Sequence, residues 1–161
     1  MTTATPTYSS VTTHTCTIAS LATSATAGRE GTAIDNGATE DAIDAILGGF
    51  ITTGTSPTAS RQIEIWVYGS YDGTSYSGGA TGSDAALTPQ AEGLMKLGVV
   101  IPTSATSNQK YTFCIGSVAA LFGGTLPKKW GVYVRHNTGV NLNSTAGNHE
   151  IKHTPVKFDA S

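Results

Sequence analysis

The sequence predicts an all-β protein, an antiparallel two-sheet β-sandwich that is jelly-roll-like with eight strands. Three observations carry this. Eight segments show strand alternation or strand composition: 11–21, 29–34, 41–51, 61–68, 94–101, 109–115, 129–136 and 149–158. The connections between them are short or irregular and rich in Gly, Ser, Thr, Asn and Pro. Parallel strands need long, usually helical, crossovers, and only 117–122 suggests a helical turn. The composition fits as well. Hydrophobic residues make up 39% and charged residues 12%, so the chain has a core to bury, and 19 glycines supply turns. A length of 161 residues suits one domain.

Residues 1–10 are rich in Thr, Ser and Pro and bury little. They read as an extended N-terminal arm, frayed or laid across a neighbour, ahead of a single domain at 11–161. Segment 11–21 (VTTHTCTIASL) is a Thr-rich strand near an edge, because a branched Cβ suits a pleated surface. Segment 29–34 is a short strand closed by a turn at Asp35, Asn36 and Gly37. In 41–51, Ile43, Ala45, Leu47, Gly49 and Ile51 alternate; a helix capped by Thr39 competes, and Gly48 and Gly49 decide for a strand.

The strongest local signal is 61–68 (RQIEIWVY), the expected central strand. Ile63, Ile65 and Val67 point one way; Gln62, Glu64, Trp66 and Tyr68 point the other. The second face is only partly polar, so it calls for a cover from a sheet, a subunit or a partner. Residues 69–93 form a long loop carrying Tyr71 and Tyr76, and long loops in compact domains often bind. Contact surface and passive cover both remain open for it. Met95, Leu97, Val99 and Ile101 then form one face of a strand. Tyr111, Phe113 and Ile115 face away from Lys110, Thr112 and Cys114, and Trp130, Val132 and Val134 share a face. Spacing does not give strand order.

Chemistry is sparse. Net charge is −2, and the adjacent pair Lys128 and Lys129 is no phosphate-tracking groove, which argues against nucleic-acid binding. No apolar run approaches the ~20 residues that span a bilayer. The N-terminus lacks the basic and apolar regions of a secretion signal, so cytoplasmic synthesis and free, packed thiols at Cys16 and Cys114 are expected. His149 and His153 lie about 13 Å apart on a strand, too far for one metal, and read as surface histidines. His14 and Cys16 share a strand face but lack a third ligand. Asp35, Glu40, Asp41 and Asp44 surround one turn without EF-hand spacing, and Asp72 and Asp84 read first as turn formers. There is no nucleophile elbow, no HExxH and no phosphate loop; 27–31 (AGREG) lacks the Lys-Ser/Thr pair. We assign no catalytic residue, metal or cofactor and expect a non-enzymatic protein.

Three stretches, 26–35 (TAGREGTAID), 80–88 (ATGSDAALT) and 126–139 (LPKKWGVYVRHNTG), together resemble small proteins encoded among the virion structural genes of tailed bacteriophages. The resemblance spans most of the chain after about residue 20. It implies a particle component, most plausibly a capsid decoration or cement protein on the outer surface of the head. Its implied partners are the major capsid protein and further copies of itself, as a homotrimer. The expected contacts are the arm with Thr2, Thr5, Thr7 and Tyr8, the loop aromatics Tyr71 and Tyr76, and the connection carrying Phe122, Lys128, Lys129 and Trp130. A carbohydrate-binding sandwich of a tail or fibre, stacking sugars on Tyr71, Tyr76 and Trp66, is the alternative.

Overall fold

The structure, a computed structural model, describes residues 4–160. Two antiparallel sheets face each other, so the two-sheet all-β architecture is as the alternation predicts. The first sheet runs β1 (Ala4–Tyr8), β11 (Glu150–Ala160), β5 (Asp44–Thr52), β9 (Lys110–Ile115), with β2 (Thr12–Thr13) also against β11. The second runs β7 (Ala85–Leu87), β3 (Gly28–Glu30), β10 (Lys129–His136), β6 (Arg61–Ser70), β8 (Lys96–Thr103), with β4 (Ile34–Asp35) also against β10. Among the described residues the one α-helical turn, α1 (Val118–Leu121), starts at Ser117, whose Oγ accepts from the Ala120 amide at 3.0 Å. No described helix is long and apolar enough to cross a membrane.

Strands number eleven among the described residues, not eight, for physical reasons. The arm is not free: β1 pairs with the end of β11, Thr5 opposite Asp159 and Tyr8 opposite Val156. Segment 11–21 keeps only two strand residues because it crosses between the sheets. The His14 amide donates to Ile151 O in the first sheet, while Thr15 O accepts from the Thr32 amide beside the second. The chain bends between Glu30 and Ile34, splitting 29–34 into β3 and β4, and β7 emerges inside the long loop.

The core lies between the sheets. Ala45, Leu47, Ile51, Phe113, Ile115 and Ile151 meet Ile63, Ile65, Val67, Trp130, Val132 and Val134, all buried. The expected single face of 94–101 is broken by a bulge between Ile65 and Trp66, where β8 slips by one residue. Val99 opposes Ile65 and Ile101 opposes Ile63 toward the core, whereas Leu97 opposes Trp66. Gly98 is the extra residue; a Cβ there would lie 2.4 Å from Ile115 Cδ1.

The histidines are interior. His14 and His153 are 3% and 2% exposed, and their rings sit 5.8 and 5.4 Å from the Trp130 ring. His153 Nε2 meets Glu40 Oε1 at 2.6 Å, so His153 is no surface histidine: a carboxylate 113 residues away draws it inward. His149 is half-buried, between Asn143 O at 2.8 Å and the Thr52 amide at 3.4 Å. Burial, then the charge of His153, pushes the His14 imidazole down to about 3. Burial also lowers His136 and His149.

Two predictions follow from this packing. A histidine lowered in the folded state binds its proton more tightly when unfolded, so its stabilisation is complete above about pH 6.5 and is lost on acidification. His14 alone should cost about 3 kcal/mol between pH 7.5 and 4.5. Urea unfolding across that window should show the fall, and His14→Gln should flatten it; an unchanged slope would contradict the assignment. Gly49, at φ 153°, would place a Cβ 1.9 Å from Glu150 O. Gly49→Ala should therefore destabilise by about 2–4 kcal/mol, read from the urea midpoint at unchanged m.

Candidate interaction surface

The outer face of the second sheet is apolar and must be covered. Tyr68, Tyr133, Met95 and Ala80 form a second buried cluster, flanked by Trp66, Tyr76, Leu87 and Ala33. The cover comes from the chain's own long loop. Glu30, wholly buried on β3, accepts through its carboxylate from the Thr81 amide at 2.8 Å, Thr81 Oγ1 at 2.9 Å and the Gly82 amide at 3.2 Å. Asp84 accepts from Arg29 Nε at 2.6 Å, the Thr17 amide at 3.0 Å and Thr17 Oγ1 at 2.5 Å. Burial pushes its carboxyl up, but the Arg29 and Thr17 donors outweigh that and hold it below the usual range. The Tyr76 ring packs edge-on against Tyr68 at 5.7 Å, and Tyr68 Oη donates to Gly31 O at 2.5 Å. The 76–87 half of the loop is thus a fastened cover, and Tyr76 belongs to it.

Trp66 is fastened as well. Its Nε1 donates at 3.0 Å to Glu64 Oε2, which also accepts from Arg135 Nε at 3.0 Å and Arg135 Nη2 at 2.5 Å. Arg135 pairs in addition with Glu92. Both Glu64 and Arg135 are buried, so this network ties the 92–94 turn to the sheet.

The other half of the loop presents a surface. The Asp72 carboxylate accepts from the Ser75 amide at 2.7 Å and the Thr74 amide at 2.8 Å, which hold it far below the usual range. That closed turn carries Tyr71, 86% exposed. Tyr71 and Phe122 line one open cleft of about 350 Å³ with Leu94, Lys96, Thr125 and Pro127. Phe122 follows α1 and reaches the sheet because Gly69 has no side chain; a Cβ there would sit 2.8 Å from Pro127 and 3.0 Å from the Phe122 ring.

The remaining expected contacts are scattered. Trp130 is wholly buried and offers nothing to a partner. Lys128 is exposed and donates from Nζ to Asp72 O at 3.3 Å; Lys129 pairs with Asp35 at 3.3 Å. Thr5, Thr7 and Tyr8 lie on β1 in the other sheet, and Thr2 lies outside the described residues. Pro127 lies in the connection expected to make contacts, whereas Leu94, 60% exposed, was missed: it has no local signal, and only the fold brings it beside Tyr71.

Among the described residues no three His, Cys, Asp or Glu side chains gather in a metal-binding arrangement. Of the acidic turn, Glu40 turns inward to His153, Asp35 pairs with Lys129, and Asp44 accepts from the Ala119 amide at 2.7 Å. Both cysteines are free. Cys114 is exposed rather than packed, while burial raises the Cys16 thiol far above its usual range. Comparison with protein-family models, curated proteins and solved structures found no match.

Glu30→Gln should test the fastening. It turns an amide donor toward donors already committed to an acceptor, at a cost of about 1–3 kcal/mol. Limited proteolysis within 76–93 should accelerate ahead of global unfolding. Unchanged cleavage would mean that other contacts hold the cover.

Proposed function

We propose that this chain is a non-enzymatic virion structural protein of a tailed phage, a capsid decoration or cement protein. It sits on the outer head surface and stabilises contacts between major capsid protein subunits. The observation that carries this reading is the open cleft in which exposed Tyr71 and Leu94 stand beside half-buried Phe122: apolar and aromatic side chains held on a fastened support, as an interface anchor requires. The resemblance of 26–35, 80–88 and 126–139 to phage virion proteins supplies the kind of partner, and supplies the homotrimer by analogy alone. Fold by itself would not justify the assignment.

The strand order supports the finer reading of the sandwich as a jelly roll. Take β2, β3 with β4, β5, β6, β8, β9, β10 and β11 as eight successive strands. One sheet then reads first, eighth, third, sixth, and the other second, seventh, fourth, fifth. On this reading β1 and β7 are additions at the edges.

A second reading, a carbohydrate- or receptor-binding sandwich of a tail or fibre, has one observation in its favour. Two aromatic rings line the cleft together with the hydroxyl-bearing Ser70, Ser77 and Thr125. Trp66 and Tyr76, engaged with Glu64 and Tyr68, lend it nothing.

Tyr71→Ala tests the first reading. Affinity for assembled shells, measured by co-sedimentation, should fall by about tenfold or more, while unfolding free energy changes by less than about 0.5 kcal/mol. Full shell binding by the variant would remove this cleft from the interface. A glycan array giving Tyr71-dependent signal, with no shell binding, would favour the second reading.

A further inference from the structure

The first and last strands meet in a ribbon that the rest of the sheet does not support along its outer length. β1 has β11 as its strand neighbour. β5 accompanies β11 only as far as Val156, opposite Asp44, whereas β1 pairs with β11 out to Ala160, opposite Ala4. Beyond Val156 the ladder therefore rests on two strands, an arrangement of marginal stability in water. Among the described side chains of β1, those of residues 5–8, none belongs to either buried cluster.

The ladder is also interrupted where β1 joins the domain. Tyr8 opposes Val156 and Thr12 opposes His153, so four residues on one strand span three on the other. The Ser9 amide still donates to Pro155 O at 2.9 Å, so the extra length bulges at residues 10–11, leaving Val11 61% exposed. β1 can peel away at this bulge while β2 stays paired. Apolar side chains on these segments are open to water: Tyr8 at 67%, Phe158 at 56% and Val11 at 61%, and Ile43, whose amide donates to Val156 O, at 42%.

We propose that β1 is an exchangeable arm, and that its second docking site is the 156–160 edge of β11 in another copy of this chain. The exchanged strand keeps the register Thr5 to Asp159 and Tyr8 to Val156, so the backbone ladder is the same between copies as within one. What changes is that the apolar side chains of two ribbons meet and leave water. A short tether gives the arm an effective concentration of about millimolar at its own β11, so exchange grows as copies approach that density.

The test uses register partners on separate chains. Thr5→Cys and Asp159→Cys are made singly, each with Cys114→Ser, and mixed in a glutathione buffer up to about 1 mM. Any bond between positions 5 and 159 must then join two copies. The expected result is a crosslinked heterodimer that rises with concentration and exceeds, by several-fold, a control pair of Thr5→Cys with Ser144→Cys. The double variant in one chain should close within the chain. Closure in the double variant without heterodimer above control would overturn the exchange; failure of the double variant to close would overturn the register on which it rests.

Discussion

Glu30 sits on a three-residue strand with no access to solvent, and its carboxylate takes three hydrogen bonds from the turn at Thr81 and Gly82. An ionised group in that position is costly unless its acceptor sites are filled, and the loop fills them. The outer layer hangs from this contact. With 76–87 in place, Tyr68 and Tyr133 are buried and β10 is covered on both faces from Trp130 to His136; burial also pushes the Tyr133 phenol up to about 12. Without the cover, the second sheet would present an aromatic face to water. A two-sheet sandwich is in effect given a third layer, and one buried acid fixes where that layer lies.

Much of the sandwich was legible because alternation reflects burial directly. β5, β6, β9 and β10 fall within about three residues of their expected limits, and the two faces of 61–68 separate as the pattern says. Contacts distant in sequence broke the rule elsewhere. The slip at Gly98 moves Leu97 opposite Trp66, which no count of twos reveals. His153 looks like a surface residue until Glu40 folds over it. β1 carries almost no pattern of its own, because the edge of β11 makes it a strand. Of the expected contacts, Tyr71 and Phe122 come together, while Trp130 obeys its size and goes inside.

Several polar and charged side chains fasten the fold. Asp84 with Arg29, Glu64 with Arg135 and Glu40 with His153 each join segments far apart in the chain, and Asp72 closes the turn beneath Tyr71. Such a fold holds its exposed side chains in place before a partner arrives, which lowers the ordering cost of association. That is the physical link between the interior and the proposed role: the Tyr71 cleft is presented by a rigid turn rather than by a free loop.

The most direct measurement is electron cryo-microscopy of the phage particle proposed to carry this protein. The expected result is density for the sandwich on the outer head surface, bridging coat subunits, with the cleft of Tyr71, Leu94 and Phe122 turned toward the coat protein. Density confined to the tail or a fibre, or a sandwich on the head with that cleft facing solvent, would contradict it.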